Sequence, residues 1–127
     1  MAQVVLDASA LLALLNNERG SEAVAAAMPD AVVSAVNLAE VIAKLTAAGI
    51  GPEVVRKALQ ELSLGAIPFD QDQAYEAGFL ITATRQFGLS LGDRACLSLA
   101  RTLGFPAMTA DRAWEQLSIG VEVRCIR

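Results

Sequence analysis

The run VVLDAS at residues 4–9, followed at once by the apolar residues 10–15, decides how this chain folds. Its first residues are β-branched or apolar and predict a short buried strand, after which the pattern becomes helical. Asp7 stands at the carboxyl end of that strand. Ligands of open parallel sheets bind beyond the carboxyl ends of the strands, so Asp7 is placed to face a site. Asp is also a preferred helix N-cap, and Asp7 taken alone fits either interpretation.

Strand and helix patterns alternate along the rest of the chain. Pro68 indicates that the third strand lies at an edge or ends there. The alternation predicts a three-layer α/β sandwich with a mainly parallel central sheet, built as a single domain over residues 1–127. The predicted strands are 4–6, 31–34, 66–69, 107–109 and 121–126, and the predicted helices are 10–16, 21–28, 38–48, 52–62, 70–87 and 90–103, with a turn or short helix before the last strand.

The composition is apolar for a soluble protein, with 54% hydrophobic residues and a mean hydropathy of +0.45. No run approaches the roughly 18 uncharged apolar residues that a membrane span needs. The surplus is expected in buried parallel strands and in an apolar surface for a partner. The first residues include no cationic segment, and Asp7 interrupts the apolar stretch, so we expect a cytoplasmic protein without a membrane partner.

The chain contains no histidine. This excludes Ser-His-Asp and Cys-His catalysis and the zinc sites that contain histidine. Cys96 and Cys125 lie far apart in apolar surroundings without a C-x-x-C motif, and we expect buried free thiols rather than a disulfide. Any chemistry must therefore depend on carboxylates, hydroxyls, lysine, arginine or a metal ion.

The net charge of −4 is unevenly distributed, because residues 85–127 carry six arginines against four acids. An acidic total argues against broad, non-specific nucleic-acid binding, which depends on neutralising phosphates. It leaves room for arginines beside an acidic pocket that holds a cation, because a bound cation reverses the local field.

Four acids recur at comparable places in the predicted fold. Asp7 and Asp111 follow apolar strands, whereas Glu40 and Asp93 lie in the first turns of helices. In a parallel sheet all four approach the same edge. Clustered carboxylates repel one another and need a cation or a proton. An all-oxygen set without histidine or cysteine favours Mg²⁺ or Mn²⁺, which can activate water and orient a phosphodiester.

Each acid also has a purely structural interpretation, because caps and surface ion pairs are common. Glu40 could pair with Asn37 as a capping box or with Lys44 as an ion pair, Asp93 could form a capping box with Ser90, and Asp111 could cap the turn that contains Trp114.

Four motifs in order resemble those of PIN domains: VLDAS at 5–9, NLAEV at 37–41, LGDRACLSLA at 91–100 and TADRAW at 109–114. The likeness covers essentially the whole chain and is closest to VapC-type toxins of bacterial toxin–antitoxin pairs. It implies an endoribonuclease dependent on Mg²⁺ or Mn²⁺ that cleaves RNA, forms a homodimer and is held inactive by a cognate antitoxin.

The resemblance also assigns roles to individual residues. Asp7 and Asp93 become the main metal ligands, with Glu40 and Asp111 completing the catalytic pocket directly or through water. Two hydroxyls are expected to hold an acid or a metal-bound water, although a helix cap explains them equally well. Two arginines are candidate phosphate contacts, although such arginines are more often solvated surface charges. These four residues are Ser9, Thr109, Arg94 and Arg112.

Two other functions remain open at this point. A small-molecule phosphohydrolase could use Asp7 as a covalent nucleophile, although that pattern usually has a second acid at the position of Ser9. A non-catalytic binding module could instead receive a partner's arginine among its acids. The apolar helix pair at 38–62 is the predicted partner surface, with plain core packing as its alternative. Because aromatic residues are few, RNA recognition is expected to depend on shape and backbone.

Overall fold

The central sheet contains five strands, all parallel, in the computed structural model, which describes residues 3–127. The predicted parallel sheet is therefore confirmed. Its strands lie in the order β3-β2-β1-β4-β5. They are β1 (Val4–Leu6), β2 (Ala31–Ser34), β3 (Gly65–Ile67), β4 (Ala107–Thr109) and β5 (Val123–Cys125).

Helices connect the first four strands, and a segment with one 3₁₀ turn connects β4 to β5. Among the described residues, no helix combines the length and the apolar character needed to cross a bilayer. The helices are α1 (Ala8–Leu15), α2 (Ser21–Ala27), α3 (Ala35–Ala47), α4 (Pro52–Glu61), α5 (Gln71–Phe79), α6 (Ile81–Thr84) and α7 (Leu91–Leu103), with 3₁₀ segments at Met28–Asp30, Arg85–Phe87 and Arg112–Gln116.

Alternating side chains of the strands build two cores, one on each face of the sheet. Val4 and Leu6 pack on one face with residues of α1 to α4, such as Val41. Val5 points to the other face, where it packs with residues of α7 and with Trp114. The sheet is thus covered by helices on both sides, and the predicted three-layer sandwich is confirmed.

The strand order places a topological switch point beside β1. From β1 the chain proceeds to β2 and β3 on one side, then crosses over to β4 and β5 on the other. Strands β1 and β4 are direct neighbours, with Leu6 paired to Met108. Since helices leave these two strands toward opposite sides, a crevice opens at their carboxyl ends.

The single helix predicted over 70–87 is wrong. The structure has α5 and α6 separated by a turn at Leu80, and the last residues, Arg85–Phe87, form a 3₁₀ segment. Gly78 weakens the helix before the break. The hydroxyl of Thr84 donates to the carbonyl oxygen of Leu80 at 2.8 Å, a local hydrogen bond of the kind that bends helices.

Both outer strands are shorter than predicted. Strand β3 ends at Ile67 because Pro68 has no N–H to extend the ladder, and its predicted edge position is confirmed. Strand β5 covers Val123–Cys125 rather than 121–126. Its partner β4 has only three residues, so the ladder cannot be longer.

Both cysteines are free thiols, as predicted. Cys96 is buried, and burial among the acids raises its pKa well above the usual value. Cys125 is only half-buried, so the prediction of a buried thiol is wrong there. It lies on the edge strand β5, which is covered less completely than the central strands.

Candidate functional site

The four acids singled out in the sequence line one cavity of about 360 Å³. Asp7 lies directly after β1, Glu40 in α3, Asp93 in α7 and Asp111 two residues after β4. Four separate segments of the chain therefore deliver a carboxylate to the crevice at the switch point.

Asp7 is the buried centre of this cavity, with only 3% of its surface exposed. The backbone N–H of Ala10 donates to its Oδ1 at 2.8 Å, and the Ser9 hydroxyl donates to the same oxygen at 2.7 Å. The Thr109 hydroxyl donates to its Oδ2 at 2.6 Å. The carboxylate is thus held in one orientation from three sides.

The two hydroxyls also connect Asp7 to the segment that carries Asp111. Ser9 Oγ accepts from the N–H of Ala110 at 2.9 Å, and Thr109 Oγ1 accepts from the N–H of Asp111 at 3.0 Å. A shift of either hydroxyl would therefore move two sides of the cavity together.

Burial raises the pKa of Asp7 from 3.8 to about 6. Hydrogen bonds from Thr109, Ala10 and Ser9 lower it in part, and the negative charge of Asp93 raises it further. Near neutral pH this carboxylate is charged at a cost, which a cation in the cavity would relieve.

Three of the acids also cap helices, so their structural interpretations are correct as well. Asp7 caps α1, Asp93 forms the predicted capping box with Ser90, and Asp111 accepts from the N–H of Ala113 at 2.9 Å. The two interpretations do not compete, because an ionised carboxylate has about four acceptor positions and a cap uses one or two of them.

Neither structural interpretation of Glu40 is correct. Helix α3 is capped by Ser34 rather than by Asn37, since the Ser34 hydroxyl accepts from the N–H of Val36. Within residues 3–127, no ion pair joins Glu40 to Lys44. Glu40 instead accepts a hydrogen bond from the Asn37 side chain at 2.9 Å.

Comparison with known proteins identifies the family. The sequence model of the PIN domain matches residues 4–120. The chain belongs to the PIN domain family. No curated protein sequence matches it.

Several solved structures with the same fold are VapBC or VapC proteins, and at 17–18% identity they establish the fold alone. DNA-bound VapBC from Salmonella typhimurium superposes with a TM-score of 0.75 at 18% identity, covering 100% of both chains. Mycobacterium tuberculosis VapC20, described as a Sarcin-Ricin loop cleaving toxin, has a TM-score of 0.73 at 17% identity over 94% of this chain and 99% of its own. VapBC-1 from nontypeable Haemophilus influenzae has a TM-score of 0.73 at 17% identity over 97% of each chain. The expected VapC-type PIN fold is confirmed.

The donor set of this PIN domain suits a hydrated ion better than a closed cage. Within the part of the chain that the structure describes, no group of three Asp, Glu or Cys side chains forms a ready-made metal site. The cavity is nevertheless lined by the carboxylates of all four predicted acids. Mg²⁺ is usually held by one or two carboxylates and keeps several of its waters. The residues therefore fit Mg²⁺ or Mn²⁺ bound with part of its hydration shell.

The basic residues at the cavity differ from those proposed from the sequence. Arg94 donates to the carbonyl oxygen of Ala77 at 2.9 Å and so connects α7 to α5, while the largely exposed Arg112 pairs with Glu115 at 3.5 Å. Neither arginine lines the cavity. Their role as phosphate contacts stays a prediction.

Lys44 and Arg127 line the cavity instead, together with a fifth acid, Glu18. Arg127 donates to Glu18 at 3.1 Å and to the carbonyl oxygen of Arg19 at 2.9 Å. Lys44 could have been found from the sequence, because it lies four residues after Glu40 on the same helix face. Arg127 carries no such signal, since only the packing of the segment after β5 brings it here.

Proposed function

We propose that this PIN domain, acting as a single domain over residues 1–127, is an endoribonuclease that uses Mg²⁺ or Mn²⁺ to hydrolyse RNA phosphodiesters. The proposal includes its role as the toxin of a VapBC-type toxin–antitoxin pair. The observation that carries it is the convergence of Asp7, Glu40, Asp93 and Asp111 on one cavity in a chain without histidine.

The chemistry of the cavity supports this assignment. Asp7 and Asp93 would hold the ion most directly, with Glu40 and Asp111 contributing directly or through water. When bound, a divalent ion supplies positive charge for the phosphate and makes water a better nucleophile near neutral pH. Ser9 and Thr109 keep the Asp7 carboxylate oriented for this task. Ser9 is not proposed as a nucleophile, because a hydroxyl needs a general base and the Asp7 carboxylate beside it is assigned to the ion.

Total RNA incubated with the purified protein should acquire new, discrete ends in the presence of Mg²⁺ or Mn²⁺ and none in the presence of EDTA. Sequencing of the RNA ends measures this directly. RNA that stays intact with both ions, from a folded protein, would contradict the proposed nuclease activity.

The same samples separate the two other functions considered from the sequence. A non-catalytic module would bind RNA or a partner without producing new ends. A phosphohydrolase that uses Asp7 as a nucleophile would leave a trappable phosphoaspartate at that residue. Asp7 is followed two residues later by Ser9 rather than by a second acid, and its oxygens already accept from three donors, which disfavours covalent attack.

The helix pair α3–α4 is the proposed surface for self-association and for the antitoxin. Ile42 and Val54 are 38% and 62% exposed there, beside a groove of about 280 Å³ lined partly by Val55 and Leu59. The toxin–antitoxin complexes with the same fold support an antitoxin partner.

Light scattering should give a dimer for the wild-type protein and a monomer for Val54→Glu, because a charge in an apolar contact is left unpaired. Phe79→Glu is the matched control, since Phe79 is 69% exposed on α5, outside this surface. A dimer broken by Phe79→Glu but not by Val54→Glu would place the interface elsewhere.

A further inference from the structure

One buried amide joins a cavity acid to the helix that carries another. The side-chain Nδ2 of Asn37 donates to Glu40 Oε1 at 2.9 Å and to the carbonyl oxygen of Gly92 at 2.9 Å. Asn37 is only 1% exposed. Glu40 in α3 is thereby connected to the first turn of α7, one residue before Asp93.

The chemistry of its neighbours determines the orientation of this amide. The Glu40 carboxylate and the Gly92 carbonyl can only accept hydrogen bonds, so the NH₂ group must face them. The other end of the amide, Asn37 Oδ1, is buried and has no hydrogen-bond partner within residues 3–127. Both donors of this buried amide are thus committed to Glu40 and Gly92.

Gly92 provides the space that the Glu40 carboxylate occupies. A Cβ atom added at Gly92 would overlap with Glu40 Oε1 and would lie 2.6 Å from Oε2. Gly92 does not adopt a positive φ, so its backbone does not require glycine. Alanine is the better helix former, and the neighbouring carboxylate is therefore the reason for a glycine at this position.

We infer that Asn37 and Gly92 are positioning residues that hold the Glu40 carboxylate against the start of α7, beside Asp93. Asn37 binds one oxygen of Glu40 directly, and Gly92 leaves room for the whole carboxylate. The packing of Asn37 and Gly92 against Glu40 is seen in the structure. Only its effect on the binding of a divalent ion rests on the proposed function.

Thermal unfolding of the metal-free protein tests the packing without any activity. Gly92→Ala should give a higher unfolding temperature, relative to its own parent, in a Glu40→Ala background than in the wild-type chain, because the added Cβ must displace the carboxylate only where Glu40 is present. Gly78→Ala is the matched control: Gly78 also lies in a helix, but nothing stands within 4 Å of an added Cβ. Gly78→Ala should change the unfolding temperature by the same amount in the wild-type and Glu40→Ala backgrounds.

Titration with Mn²⁺ tests the consequence for the site. Asn37→Ala and Gly92→Ala should each weaken Mn²⁺ binding by about ten-fold, as is typical when a group supporting a ligand is removed. In the Glu40→Ala background each should change the affinity by less than about two-fold, because a residue that acts through Glu40 has nothing left to position.

Two results would overturn the inference. One is a change in the unfolding temperature by Gly92→Ala that is the same with and without the Glu40 side chain. The other is a weakening of Mn²⁺ binding by Asn37→Ala that is equal in both backgrounds, since Asn37 would then act on the fold in general. A wild-type protein that neither binds Mn²⁺ nor cleaves RNA would contradict the proposed function. The positioning of Glu40 would still be supported if the effect of Gly92→Ala on the unfolding temperature of the metal-free protein depends on the Glu40 side chain.

Discussion

Asp7→Asn is expected to lower the rate of metal-dependent RNA cleavage by more than about 100-fold, the upper end of the loss seen when only a supporting group is removed. The substitution keeps the shape of the side chain and an oxygen acceptor for the Ala10 N–H, which donates to Asp7 Oδ1 at 2.8 Å in the wild-type protein. It removes the charge at the buried centre of the cavity. Cleavage rates at saturating Mn²⁺ and the Mn²⁺ affinity, measured on the same samples, check this result.

Asp70→Asn is the matched control for this substitution. Asp70 also caps a helix and accepts from the N–H of Gln73 at 2.9 Å, but it does not line the cavity. Asn is as good an N-cap as Asp, so both variants should stay folded. Asp93→Asn should be inactive like Asp7→Asn. Cleavage at the wild-type rate by either cavity variant would remove the basis for the assigned site.

The metal-free protein is expected to lose stability as the pH rises from about 4 to above about 6, because the pKa of Asp7 is raised from 3.8 to about 6. The folded state binds this proton more tightly than the unfolded state does. The contribution is therefore fully present below pH 3.8 and is lost as the pH rises through about 6. At 1.36 kcal/mol per pKa unit, the shift corresponds to about 3 kcal/mol.

Urea unfolding from pH 4 to pH 8 measures this effect as the difference between the wild type and Asp7→Asn. Above pH 6, metal-free Asp7→Asn should be more stable than the metal-free wild type. The difference in unfolding free energy should be at most about 3 kcal/mol, reduced by the cost of the hydrogen bonds that the variant loses. Mn²⁺ at about 100 times its dissociation constant should restore about 2.7 kcal/mol to the wild type alone.

Thr109→Val provides a second check on the same carboxylate. The Thr109 hydroxyl lowers the pKa of Asp7, so its removal should move the pH-dependent loss of stability to higher pH. The free energy of unfolding of the wild type minus that of Asp7→Asn should fall as the pH rises. A difference that stays constant from pH 4 to pH 8, or that increases with pH, would mean that the pKa of Asp7 is not raised by burial.

The sequence predicted the elements of this fold better than their ends. Short apolar strands and helical repeats are local patterns, and the central strands and α7 follow them closely. The break at Leu80 was missed because it depends on a hydroxyl-to-carbonyl hydrogen bond and on the burial of Leu80 itself. The length of β5 was missed because it is set by the short partner strand β4.

The candidate site shows the same division. The acids were found because the sequence pattern places each one just past a strand or near the start of a helix, although Glu40 lies in the second turn of α3 rather than in the predicted first turn. The basic residues were not, because Arg94 is occupied by a carbonyl of α5 whereas Arg127 approaches from the segment after β5. Long flexible side chains find their partners through tertiary packing, so the positions of their charged groups cannot be read from local patterns.

By itself, the sequence determined that this protein forms a parallel α/β sandwich and that any chemistry it performs proceeds without histidine, since it has apolar strands alternating with helices and no histidine. The tertiary structure alone decided how the carboxylates are arranged. It buried Asp7 beneath two hydroxyls, placed Glu40 over Gly92, and brought Lys44 and Arg127 rather than the predicted arginines to the cavity. The physical reason is that periodicity and capping act between near neighbours, whereas burial, close contact and charge proximity depend on segments that meet only after the chain has folded.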